Sequence, residues 1–239
     1  MRRFTLTSPA PLEYTITNRK RVTRRLHMEL DKNGGLVVVA PRNWSKAKIN
    51  TVLTQNLTAV ERFLTRARKH QRQPLLYTSG EQHLFLGERY PLDVKCDSGR
   101  KTSVIFDGTE ILVNGSQPDR ERVRLALQNW YRAQALDVFS TRLRVIAGRA
   151  DWVGDTEIPL KLRRMKRTWG NCSNKGVIKL NTHLIKAPLP VLDAVIAHEL
   201  CHLEEMNHGK AFYALLERLN PNWREDRRRL RSEGNIYLQ

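Results

Sequence analysis

Short runs of alternating apolar and polar residues, each ending at turn residues, dominate the first half of the chain. We predict strands at Leu12–Thr17, Arg24–Leu30 and Leu36–Ala40, with the last two joined as a hairpin by an Asn-Gly-Gly turn. Gly80–Val94 contains two further short strands, and residues 102–113 form a second hairpin around an Asp-Gly pair. The first half is therefore predicted to be rich in β-structure.

Apolar residues recur every three or four positions in the longer segments, which is the spacing of an amphipathic helix. Helices are predicted from Ser45 to about Lys69, from Arg120 to about Ala147, and from Pro188 to Met206. Two more are predicted at Lys210–Leu219, which an Asn-Pro pair ends, and at Trp223–Leu230, which is short and highly charged.

Two short strands, Ile158–Lys166 and Val177–Leu180, are predicted among the helices of the second half. This order of elements predicts an α+β fold, with a β-rich N-terminal half that contains one long helix and a helical C-terminal domain after it. Gly115–Asp119 is rich in turn residues and marks the predicted boundary, which gives domains at residues 1–117 and 118–239.

Composition excludes several classes of protein and adds one unusual feature. Hydrophobic residues make up 40% and charged residues 28% of 239, which argues against wholesale disorder, collagen or coiled coil. No apolar run approaches the ~20 residues that span a bilayer, and the first residues lack the apolar core of a signal peptide. We therefore expect a cytoplasmic protein without a membrane partner. The formal net charge of +18 favours an acidic partner such as a nucleic acid or a nucleotide.

The pentapeptide His198-Glu199-Leu200-Cys201-His202 matches H-E-x-x-H, the signature of zinc metallohydrolases. Residues four apart in a helix are separated by ~40° around its axis, so both imidazoles point the same way. Glu199 lies ~100° from His198, from where its carboxylate can reach a water on the metal without ligating the metal.

The surrounding residues strengthen this motif. On a helical projection of residues 191–203, the two histidines and Glu199 share one arc with apolar residues, whereas Asp193, Ala197 and Cys201 fall outside it. The apolar residues of this arc are Val191, Leu192, Val195, Ile196 and Leu203. Ionisable side chains on a buried arc need partners, and a metal ion would satisfy both imidazoles together.

Catalytic zinc generally takes three protein ligands and leaves one position for water. His208 follows His202 by six residues, and Asn207 tolerates the backbone turn that would fold His208 back toward the motif. Glu204, Glu205 and Glu217 are alternative third ligands on residue type alone.

Three blocks of sequence carry a family resemblance. They are Arg167–Ser173, Lys175–Asn181, and the H-E-x-x-H motif together with Asn207-His208 and Ala211-Phe212. With these blocks the chain resembles the YgjP-like metallopeptidases, a zincin branch similar to the SprT-like and WLM proteases. The resemblance is close over about residues 166–223 and looser before them.

That resemblance implies a small zincin-like C-terminal domain with an active-site helix. It also implies a Zn²⁺ ion held by His198, His202 and His208, with Glu199 as the general base. Finally, it implies that Val177–Leu180 is an edge strand that aligns an extended peptide beside the metal.

We therefore expect a zinc-dependent metallopeptidase that hydrolyses peptide or protein substrates through a zinc-bound water activated by Glu199. One alternative is a metal-dependent nucleotide phosphohydrolase, in which basic residues hold phosphates. Another is a protease that acts while associated with nucleic acid. The basic segment Leu160–Arg167 would draw a polyanion toward the metal in either alternative.

Overall fold

The computed structural model describes residues 3–6, 12–18, 24–31, 34–69, 75–97, 102–154 and 157–238. Its chain separates into two compact units, residues 1–73 and 74–239. The architecture is the predicted α+β class, with sheets in the N-terminal half and most helices in the C-terminal half. Among the described helices, none combines the length and the apolar character that crossing a bilayer requires.

The first unit contains a four-stranded sheet and two helices. Its strands are β1 (Arg3–Leu6), β2 (Leu12–Thr17), β3 (His27–Leu30) and β4 (Leu36–Val39), in the order β1-β2-β4-β3. The predicted β3–β4 hairpin is confirmed, and β2 runs parallel to β4. The residues of its core are Tyr14, Leu36, Val38, Ala40, Ile49, Leu53 and Val60.

The predicted helix over residues 45–69 is interrupted once. It forms α1 (Lys46–Gln55) and α2 (Leu57–Lys69), separated by Asn56. The Asn56 backbone leaves the helical region at φ −118°, and its side-chain amide donates a hydrogen bond of 2.8 Å to the Val52 carbonyl. An asparagine that bonds to nearby backbone in this way competes with the helix, which explains the break.

The second unit begins with another four-stranded sheet. It consists of β5 (Gln82–Phe85), β6 (Glu88–Cys96), β7 (Ser103–Phe106) and β8 (Ile111–Gly115), in the order β5-β6-β8-β7. The long helix α3 (Arg120–Ala147), confirmed at both predicted ends, packs on this sheet.

The boundary predicted after residue 117 falls between β8 and α3, inside the second unit. Sheet and helix cannot be divided there because they share one apolar core. The Phe85 and Trp130 rings lie 4.9 Å apart, and the Tyr131 hydroxyl donates a hydrogen bond of 2.7 Å to the Leu84 carbonyl. The turn residues that suggested a boundary instead connect two elements of one packed unit.

A three-stranded sheet follows and lies beside the candidate site. Its strands are β9 (Leu160–Arg163), β10 (Gly170–Cys172) and β11 (Ile178–Asn181), in the order β10-β11-β9. The expectation that Val177–Leu180 forms an edge strand is wrong, because β11 pairs with β10 on one side and with β9 on the other. The edge strand next to the H-E-x-x-H helix is β10.

The chain ends in a short 3₁₀ helix (Thr182–Lys186) and three α-helices, α4 (Leu189–Cys201), α5 (Lys210–Leu219) and α6 (Trp223–Tyr237). Helix α4 ends before the predicted Met206, since the next N–H groups bond three residues back, Leu203 to Leu200 and Glu204 to Cys201. Helix α6 extends beyond Leu230 because its last turns are packed, with Gly234 and Tyr237 buried.

Helix α4 is more deeply enclosed than the helical projection predicted. Ala197 and Cys201 were expected outside the buried arc, yet they are 1% and 0% exposed. Asp193 forms a two-point ion pair with Arg142 of α3, with N–O distances of 2.8 and 2.5 Å. The helix that carries the motif is therefore held on several faces, which fixes the direction of its polar side chains.

Candidate metal centre

The structure brings the side chains of His198, His202 and His208 together. One ring nitrogen from each lies within 4.8 Å of the others, and the Nε2 atoms of His198 and His208 are 3.1 Å apart. His198 and His202 are half-buried and His208 is exposed. Two nitrogens bound to one tetrahedral zinc at ~2.0–2.1 Å are ~3.4 Å apart, so this spacing suits a shared ion.

Local contacts orient the imidazoles. The Nδ1 atom of His202 lies 3.0 Å from the Glu205 carbonyl oxygen, a distance at which the Nδ1–H group donates. That bond leaves the Nε2 lone pair of His202 for a metal. Metal-binding histidines commonly donate their other ring N–H to a backbone carbonyl in this way. The buried ring of Phe212 contacts all three imidazoles, with centroid distances of 4.6–4.9 Å.

His208 reaches the motif because the chain reverses after α4. The Glu205 N–H donates to the Cys201 carbonyl at 2.8 Å, and the Gly209 N–H donates to the Asn207 carbonyl at 2.8 Å, just before α5 begins. Glu217 is engaged elsewhere, since its carboxylate accepts hydrogen bonds from Trp223 and Arg224. Within the described part of the chain, the three histidines are the group with ligand atoms close enough to hold one ion.

Glu199 lies buried beside the histidines, with 5% of its surface exposed. Burial raises the pKa of its carboxyl group to about 7, against the opposing effect of a hydrogen bond from the Cys172 N–H. Strand β10 approaches very closely here. A Cβ atom added to Gly170 would lie 2.4 Å from Glu199 Oε1 and 2.7 Å from its Cγ. Residue 170 therefore needs to be glycine for the carboxylate to keep its position.

Burial and neighbouring charges favour the neutral form of two of these imidazoles, those of His198 and His208. Burial lowers the pKa of His198 to about 4, and the charges of His202, His208 and Arg227 act in the same direction. The pKa of His208 is also lowered, by partial burial and by the charges of His202 and Arg227. Neutral imidazole is the form that binds a metal ion.

A cavity of about 260 Å³ opens onto His198 and Glu199. Trp169 and Gly170 form one wall, and residues of α6, including Trp223 and Arg227, form another. The Trp169 ring packs against Gly234, where an added Cβ would approach it to 2.9 Å.

Sequence reasoning missed the part that α6 plays. The sequence predicts only a short, highly charged helix here, but Trp223, Arg227 and Leu230 line the cavity. Their spacing of four and three residues places them on one helical face, and this pattern was a usable signal. The closeness of Gly170 to Glu199 depends on the packing of β10 against α4, and no local sequence pattern predicts it.

A family described as YgjP-like, metallopeptidase domain, matches residues 24–233 of the chain. The chain belongs to this family. The resemblance inferred from the Trp169-Gly170 and H-E-x-x-H blocks is thereby confirmed. Metallopeptidases act with a divalent metal ion, and the donor set of three imidazoles fits such an ion.

Two individual proteins are similar to parts of this YgjP-like chain. The UTP pyrophosphatase of Escherichia coli (strain K12) is 38% identical over 56 residues, which is 23% of this chain and 34% of that protein. The chain thus spans about a third of the length of this curated relative. The crystal structure of the metallopeptidase zymogen of Pyrococcus abyssi abylysin is 19% identical with a TM-score of 0.35, and the match covers 41% of this chain and 92% of that one.

Proposed function

We propose that this YgjP-like protein is a zinc-dependent peptidase whose catalytic centre consists of His198, His202, His208 and Glu199. The observation that carries the proposal is the convergence of three imidazole nitrogens within 4.8 Å, beside a buried carboxylate and an open cavity. An all-nitrogen set of three donors favours zinc over magnesium or calcium, which prefer oxygen ligands.

The three histidines would hold the zinc ion, and Glu199 would move the proton. When bound, zinc acts as a Lewis acid toward a carbonyl oxygen and lowers the pKa of a water in its open position. The Glu199 carboxylate accepts a proton from the attacking water and then returns it to the leaving amine. In the metal-free protein, burial raises the pKa of this carboxyl group to about 7, and an effective general base has a pKa near the working pH.

Strand β10 offers a means of positioning a peptide. Among the described strands it pairs on one side only, with β11, and its first residue contacts Glu199. An extended peptide can add to such an edge through backbone hydrogen bonds. A scissile bond would then lie beside Glu199 and the histidines. Strand β10 would thus take the peptide-aligning role that the resemblance implies for Val177–Leu180.

A second candidate is a nucleotide phosphohydrolase with the same metal centre. Two observations favour it. The E. coli relative is named as a UTP pyrophosphatase, and the Arg227 guanidinium lines the cavity close enough to act electrostatically on His198 and His208. A cation there would stabilise phosphate oxygens, and it would equally stabilise the oxyanion of peptide hydrolysis.

Nucleic-acid association remains a prediction from the net charge of +18.

Hydrolysis by the zinc-loaded protein separates the two candidates. The assay presents unstructured protein and peptide mixtures in one arm and nucleoside triphosphates in the other, with Glu199→Gln as the inactive control. We expect new peptide termini from the wild type and none from the variant. Pyrophosphate release without peptide cleavage would replace the peptidase with the phosphohydrolase, and no turnover in either arm would refute both.

A further inference from the structure

The second unit contains another cavity, of about 200 Å³, that shares no lining residue with the metal cavity. It lies between α3, the 3₁₀ helix and the segment before β5. Leu127 and Ile185 contribute apolar walls, and Tyr77 and Tyr131 contribute aromatic ones. Nothing in the proposed peptidase chemistry uses this cavity.

The lining of this cavity is strongly cationic. Arg124, Arg132, Arg164 and Lys186 all contribute to it, and no Asp or Glu is among its lining residues. Lys186 is 8% exposed, and its ammonium group lies 4.7 Å from the centre of the Tyr131 ring.

The charges of Arg124, Arg164 and Lys186 act on two titratable groups of the lining, Tyr77 and His83. Burial raises the pKa of the Tyr77 hydroxyl, while the charges of Arg124 and Arg164 oppose that shift. Burial lowers the pKa of His83, the charge and hydrogen bond of Glu81 oppose this shift, and the charge of Lys186 makes a smaller lowering contribution.

Two carboxylates outside the lining interact with residues of the lining. Glu81 accepts hydrogen bonds from the Tyr77 N–H at 2.8 Å and lies 3.0 Å from the His83 ring nitrogen. Glu121 holds the Arg124 guanidinium through two hydrogen bonds on the exposed surface of α3, so the other cations of the lining are Arg132, Arg164 and Lys186.

Two further features of the lining are typical of ligand sites. Thr182 is 8% exposed, and its hydroxyl oxygen has no hydrogen-bond partner within the described residues. Tyr77 has a φ of +60°, a left-handed conformation that is rare for a residue other than glycine and that clusters at ligand sites. A ligand oxygen would give the Thr182 hydroxyl the partner that a buried donor requires.

We propose that this cavity binds the phosphoryl group of a small phosphorylated molecule. Guanidinium groups present several N–H donors in a planar fork that matches phosphate oxygens, and Lys186 and Thr182 would complete the set of donors. A phosphate dianion carries two negative charges, so it compensates several cations more fully than a single carboxylate does. The aromatic and apolar walls leave room for an organic group attached to the phosphate.

Calorimetric titration of the zinc-loaded protein with inorganic phosphate, uridine monophosphate and acetate tests the proposal. We expect both phosphates to bind and acetate to bind at least tenfold more weakly. Tighter binding of the nucleotide than of inorganic phosphate would identify a phosphorylated molecule as the ligand, and equal binding would identify the free ion. Absence of phosphate binding, or stronger binding of acetate, would overturn the proposal.

Variants locate the bound phosphate. Thr182→Val preserves the shape of the side chain and removes its hydroxyl, and we expect it to weaken phosphate binding about tenfold. Lys186→Met should have a similar or larger effect, while Lys175→Met, which removes an exposed lysine outside the cavity, should leave binding unchanged.

Phosphate could instead bind at the metal centre, and the variants distinguish this alternative. Phosphate binding that is unchanged in Thr182→Val but lost in His198→Ala would place the anion at the metal centre and refute the second site. If Lys186→Met fails to fold, the Thr182→Val comparison decides alone, because valine is nearly isosteric with threonine.

Discussion

Replacing Gly170 with alanine tests whether the closeness of β10 to Glu199 matters for catalysis. The new methyl group would lie 2.4 Å from Oε1 and 2.8 Å from Cδ of Glu199. To restore an ordinary van der Waals separation between this methyl group and Oε1, either the carboxylate or strand β10 must move by ~1 Å. The ligand histidines lie on α4 and the loop after it, so zinc should remain bound.

The expected effect is large on rate and moderate on stability. A misplacement of ~1 Å in a catalytic group lowers turnover ~100-fold, which corresponds to ~2.7 kcal/mol in the activation free energy. Crowding a packed site in this way costs ~1–3 kcal/mol of unfolding free energy. The kcat/KM for peptide hydrolysis should therefore fall ~100-fold while one equivalent of zinc is retained.

Gly148→Ala is the matched control. Gly148 has φ −63° and ψ −6°, and an added Cβ would lie 3.5 Å from the nearest atom, the Arg144 carbonyl oxygen. This variant should keep wild-type activity and gain ~0.4–1 kcal/mol of stability. If Gly170→Ala matches the wild-type kcat/KM, the carboxylate position does not depend on β10 and our reasoning is refuted. In a Glu199→Asp background the side chain at position 199 is shorter. Gly170→Ala should therefore lower the unfolding free energy less than it does in the wild type.

Three further predictions concern charge and metal. Arg227→Ala should lower kcat/KM about tenfold, whereas Arg231→Ala should have no effect; equal rates would exclude Arg227 from the site. Burial lowers the pKa of His83 from 6.5, so the unfolded state protonates first and the unfolding free energy should fall below pH ~6.5, by at most ~1.4 kcal/mol per pH unit. In urea titrations at a series of pH values, the unfolding free energy of His83→Gln should fall less below pH ~6.5 than that of the wild type. Chelation should lower the melting temperature of the wild type but not of His198→Ala.

Much of the candidate site could be predicted because its determinants are local. The spacing of His198 and His202 depends only on helix geometry, and the helix is present where apolar periodicity predicts it. The return of His208 was foreseen from a single turn-prone residue, Asn207. The three side chains meet as expected.

The features that could not be predicted depend on contacts distant in sequence. Strand β11 lies in the middle of its sheet because β9 pairs beside it in parallel, and no turn signal encodes that pairing. The unit boundary lies near residue 73 because α3 packs on β5–β8, although the most turn-rich segment lies between β8 and α3. Arg227 reaches the cavity because α6 packs against α4. The position of β11, the unit boundary and the position of Arg227 all depend on strand pairing and helix packing. The local pattern of apolar and polar residues carries little information about either.

Metal analysis of purified protein tests the central claim most directly. We predict one equivalent of zinc in the wild type, in Glu199→Gln, and in His27→Ala, which removes an exposed histidine of the first unit. His198→Ala, His202→Ala and His208→Ala should each lose most of their zinc. A full equivalent of zinc in the His198→Ala protein would contradict the account.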